Sequence, residues 1–127
     1  MANEKITGAN KEYAIVDTQP GSAGYFTNEV NIRHLQKTEK VSKVFFSIRE
    51  HEADISAAPS ALSVITVVLQ FKCDGDHAWS DFIPLDSSEF VIGNRVVIED
   101  TGANVVWRAG VRDDEYTSGS VTFGFDW

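Results

Sequence analysis

The chain has 127 residues, 43% of them hydrophobic and 24% charged, which fits one globular domain and excludes a disordered composition. Its 11 basic and 19 acidic residues leave a net charge of −8, a balance opposed to binding a phosphate backbone. The one cysteine, Cys73, excludes an intramolecular disulfide and a cysteine-built zinc site, and no apolar run reaches the ~18 residues of a membrane-spanning helix.

Charge is unevenly placed. Residues 1–60 hold 7 basic and 8 acidic groups, whereas residues 61–127 hold 4 and 11. The nearly neutral front half is therefore the expected contact surface, since an acidic surface repels its own copies. Residues 1–12 read as an extended N-terminal arm with Ile6 as its one β-branched apolar residue before Tyr13. Ordering such a segment costs ~1–2 kcal/mol per residue, so pairing with a neighbour's sheet edge is expected. Nothing near Met1 resembles a signal peptide.

Residues 13–127 read as a single β domain. Tyr13–Asp17 is a short strand before the turn Gln19–Ser22. Val30–Leu35 alternates as a strand would, with a helical turn over Thr27–Lys37 as the other reading. Val44, Phe46 and Ile48 share one face of the next strand, leaving Phe45 on the other. Glu50–Ser60 is a connecting loop.

Leu62–Phe71 is rich in β-branched residues, with Ile65, Val67, Leu69 and Phe71 on an apolar face. Asp74-Gly75 supplies the reversal of a hairpin. The returning strand, Ala78–Ile83, has Trp79, Asp81 and Ile83 on one face and Phe82 on the other, and Pro84 ends it. Glu89–Ile92 and Asn94–Glu99 are short strand candidates, with a turn at Asp100–Asn104. Val105, Trp107, Ala109 and Val111 alternate with Val106, Arg108, Gly110 and Arg112. In the last strand Val121, Phe123, Phe125 and Trp127 share a face. About eight strands at this spacing predict an all-β antiparallel sandwich, immunoglobulin-like or jelly-roll.

Catalytic and metal signatures are missing from this pattern. His34, His51 and His77 do not form a zinc-binding pair, and no P-loop, dinucleotide fingerprint or nucleophile elbow is present. Asp74-Gly75-Asp76 and Asp113-Asp114-Glu115 read as solvated turns, and Cys73 as a thiol at a strand end. No cofactor and no enzymatic activity are expected. Trp79, Trp107 and Trp127 read as core, and Arg108 as a partner for acids on its own sheet. The interface candidates are Ile6, Tyr25, Phe26, Phe45 and Phe82.

The stretches VITVVLQF (Val64–Phe71), Trp79-Ser80-Asp81 after the Asp-Gly turn, VWRAGV (Val106–Val111) and YTSGSVTF (Tyr116–Phe123) together resemble a recurring β-sandwich of bacteriophage virion proteins. The resemblance covers about residues 62–127. It implies a particle component made in the host cytoplasm: a capsid decoration protein, or a tail, collar or fibre-attachment accessory. The implied partners are other virion proteins and further copies of the chain, with neither nucleic acid nor membrane. A carbohydrate-binding sandwich is the alternative, and it requires coplanar exposed aromatics.

Overall fold

A computed structural model describes residues 3–49, 65–85, 95–99 and 104–127. The expected strand at Glu89–Ile92, the loop Glu50–Ser60 and most of the turn at Asp100–Asn104 lie outside the described residues, as do Met1, Ala2 and the start of the Leu62–Phe71 strand.

Ten strands and one helix follow one another: β1 Glu4–Gly8, β2 Lys11–Val16, β3 Tyr25–Phe26, β4 Val30–Asn31, α1 Ile32–Glu39, β5 Lys43–Arg49, β6 Val67–Cys73, β7 Ser80–Leu85, β8 Arg95–Glu99, β9 Val105–Val111 and β10 Val121–Asp126. They form two antiparallel sheets, ordered β1-β2-β10-β5-β8 and β3-β9-β6-β7, with β4 also paired to β9. The fold is an all-β sandwich, with ten strands among the described residues rather than about eight.

The core follows the alternation of the strands. Val44, Phe46 and Ile48 from β5, and Val121, Phe123 and Phe125 from β10, are all buried. They meet Val67, Leu69, Trp107, Ala109 and Val111 from the other sheet in one apolar cluster. The Phe46 and Phe125 rings are 5.5 Å apart and tilted, a favourable aromatic arrangement. Phe71 packs only partly against the cluster, at its rim.

Three expectations are corrected here. First, the N-terminal segment is not an arm. β1 pairs with β2 from Glu4↔Ile15 to Gly8↔Lys11, closing a hairpin in which Asn10 takes a left-handed φ of 61°. Asn3 locks the strand's start: its Oδ1 accepts from the Asp17 and Thr18 N–H groups at 2.8 and 3.0 Å. Internal pairing thus offsets the ordering cost that had suggested a partner.

Second, Val30–Leu35 is a strand only as far as Asn31. Asn31 caps α1 by accepting the His34 N–H at 3.1 Å, and Ile32 and Leu35, one helical turn apart, are buried together. Lys40, at φ 61°, ends the helix.

Third, Pro84 does not end its strand. It pairs with Val68 inside β7, the last strand of its sheet, where a missing N–H is tolerated on the open side. The register also slips between Leu69 and Gln70: Leu69 faces Ile83 and Gln70 faces Asp81, so Phe82 is the extra residue of a bulge. Positions 81 and 83, which a regular strand would set on one face, are therefore opposite residues of opposite phase.

Candidate functional site

Gly110 is the second-last residue of β9 and leaves bare backbone on the outer face of the second sheet. Phe26 fills that space: a Cβ on Gly110 would lie 2.2 Å from Phe26 Cδ1 and 2.4 Å from the Tyr25 carbonyl oxygen. The segment that delivers Phe26 is tied down on both sides. Thr27 N–H donates to the Ala109 carbonyl at 2.8 Å, and Thr27 Oγ1 accepts the Ala109 N–H at 3.2 Å. The Asn28 N–H donates to Glu12 Oε1 at 3.2 Å, while Thr7 Oγ1 donates to Glu12 Oε2 at 2.7 Å. Glu12 is buried, so its carboxylate joins the β1–β2 hairpin to the loop of the opposite sheet.

Arg108, two residues before Gly110, lies between two aromatic rings. Its guanidinium carbon is 3.8 Å from the Phe26 ring centre and 4.3 Å from that of Trp79. Arg108 Nε donates to Gln70 Oε1 at 2.8 Å, and Gln70 Nε2 donates in turn to Asp81 Oδ1 at 2.9 Å. Asp81 also pairs with Arg112, whose hydrogen bond, with that of Gln70, holds the Asp81 carboxyl below its ordinary range. Burial pushes the Arg108 pKa down, opposed by the nearby charge of Glu29.

Arg108 thus departs from its expected role: Arg112 takes the carboxylate, and Arg108 takes the rings. Trp79 is likewise not a core residue. The bulge at Phe82 sets position 81 opposite outward-facing Gln70, and Trp79 lies under Arg108 with Lys72 Nζ 5.3 Å from its ring.

Between β1 and β3 opens a cleft of about 520 Å³, lined by Lys5, Gly24, Tyr25, Phe26, Asn28 and Arg108, with Glu29 on its wall. Lys5 Nζ donates to Asn28 Oδ1 at 3.2 Å and lies 5.8 Å from the centre of the Tyr25 ring. Burial, with the Glu4 charge adding, raises the Tyr25 pKa. Gly24, at φ +76°, lets the chain turn into this wall, where a side chain would meet Phe26 and the Val111 carbonyl.

Of the interface candidates, Tyr25 and Phe26 come together in the cleft. Ile6 is half-buried on β1, apart from them in the hairpin register opposite Tyr13. Phe45 is half-buried and pairs with Val97 of β8. Phe82 is 48% exposed, its ring edge-on to Trp107 at 5.2 Å and to Phe71 at 6.1 Å. Sequence reasoning missed Lys5, Glu12, Trp79 and Arg108 as a group; the visible signal was Gly110, because a glycine inside a strand marks a close approach.

Among the described residues no three His, Cys, Asp or Glu converge as metal ligands, and no helix is long and apolar enough to cross a membrane. No protein-family model, curated protein or solved structure matches the chain.

Proposed function

We propose that the chain is a non-enzymatic structural protein of a bacteriophage virion, a capsid decoration protein that docks on neighbouring virion proteins through its sheet edges. The observation that supports this most is where its exposed apolar side chains lie. Phe82 and Val97, 48% and 49% exposed, are the large exposed hydrophobics among the described residues. They belong to β7 and β8, which end the two sheets among the described residues. The docking surface thus departs from the charge-based expectation of residues 1–60, and its partner is another protein rather than a further copy of this acidic half. Lys5 of β1 reaches Tyr25 of β3 at the opposite ends of the two sheet orders, so β7 and β8 share one flank. Apolar side chains on strands with no further pairing partner among the described residues suit a docking surface.

The N-terminal arm has no part in this reading, because β1 is a strand of the chain's own sheet. The test is to detect the chain in purified particles of the phage that encodes it. Occupancy is then compared with a Phe82→Ser/Val97→Ser variant that melts at the wild-type temperature. Presence in the particle and reduced occupancy of the variant are expected. Absence from particles overturns the virion reading, and full occupancy of the variant overturns this flank as the docking surface.

A further inference from the structure

We propose that the Arg108–Lys5 cleft binds carboxylates of an acidic peptide segment on a partner protein. The chain has 19 acidic residues for 11 basic ones, so cations here have ample choice of partners. Arg112 takes Asp81, with Glu115 3.7 Å away, and Lys43 takes Glu99 at 3.5 Å. Arg108 and Lys5 line one cleft, and neither has a carboxylate at ion-pair distance among the described residues. Of the charged side chains lining the cleft, Lys5 and Arg108 outnumber Glu29, while Glu4 acts on Tyr25 from β1 and the Glu12 carboxylate is taken up by Asn28 and Thr7.

Arg108 is also preorganised. Its guanidinium carbon lies within 4.3 Å of two ring centres, and among the described residues its side-chain hydrogen bond, from Nε to Gln70, leaves the two terminal nitrogens as a fork. A planar fork fixed in this way matches the two oxygens of a carboxylate. The aromatics do not form an open sugar platform, because Arg108 covers a face of both Phe26 and Trp79. The cleft instead runs beside β3, the last strand of its sheet, where an extended peptide can lie against main chain.

The inference rests on the proposed function only in taking the partner to be a protein, and its test needs no particle. The isolated full chain is titrated at low salt with a short oligoglutamate peptide, with oligoglutamine as the neutral control. Binding is followed through the Arg108 Nε–H and Trp79 indole NMR signals. A chain of net charge −8 repels oligoglutamate at long range, so saturable binding reports a local site. The expected result is binding to oligoglutamate alone, weakened about tenfold in Arg108→Lys, which keeps the charge but loses the fork, and in Lys5→Gln. Lys5→Gln keeps the test decisive if Arg108→Lys melts early, since Lys5 is an exposed residue of an edge strand. No saturable binding, equal binding to oligoglutamine, or undiminished binding by Lys5→Gln overturns the proposal. Failure here leaves the Phe82 and Val97 occupancy result standing, so the two readings fail separately.

Discussion

Phe26 lies across Gly110, its Cδ1 too close to leave room for the first carbon of any side chain at that position. This contact brings the loop after β2 onto the outer face of β9, and it puts the Phe26 ring beneath Arg108. A residue without a side chain thereby positions a cation.

Gly110→Ala should be disproportionately costly for a one-carbon change. The added Cβ meets the backbone oxygen of Tyr25 as well as the ring, so a rotamer change alone cannot relieve it. A loss of about 1–3 kcal/mol in denaturant unfolding is expected, as for other overpacked sites. The Arg108 Nε–H signal should shift at the same time. An unshifted signal would show that Phe26 does not hold Arg108.

Phe123→Ala should cost about 3–5 kcal/mol, the usual range for emptying a buried aromatic site. Phe123 is fully buried in β10, between β2 and β5. Chemical denaturation measures the loss, and a cost below ~1 kcal/mol would mean that the site is not packed as described.

Deleting residues 1–10 should lower the melting temperature by more than about 5 °C, because it removes a paired strand and the Asn3 hydrogen bonds rather than a free arm. It also removes Thr7, a hydrogen-bond donor to the buried Glu12 carboxylate. An unchanged thermal melt would instead show β1 to be dispensable to the sandwich.

Asp81 should contribute a modest acid-labile increment of stability. Its carboxyl is held below the ordinary value of 3.8, first by the Arg112 hydrogen bond and then by Gln70. A carboxyl with a depressed folded-state pKa stabilises the protein above its unfolded pKa and loses that contribution as pH falls through the folded one. The wild type should therefore exceed Asp81→Asn at pH 7, and the gap should close as the pH falls below about 4. The side chain is 38% exposed, so screening keeps the gap under ~1 kcal/mol. Urea midpoints at both pH values measure it, and a gap that persists at pH 2 would assign the effect to something other than ionisation.

By itself the sequence determined the all-β class, the Asp74-Gly75 reversal and the inward faces of β5, β6, β9 and β10. These features are local: alternation and turn chemistry can be read within a few residues. Phe123 and Phe125 are buried as their alternation requires, and Phe82 is exposed. The tertiary structure decided what depends on a distant partner. Ile6 lies in an edge strand rather than an arm because residues 11–15 return alongside it. Asp81 and Ile83 take opposite registers because β6 pairs across a bulge at Phe82, and so Trp79 lies beside Arg108 rather than in the core. The cleft joins Lys5, Tyr25, Phe26 and Arg108 from three separate strands, and no spacing along the chain encodes that meeting. Local pattern sets which face of a strand is apolar, whereas pairing, bulges and ring stacking across the sandwich set what its polar face holds.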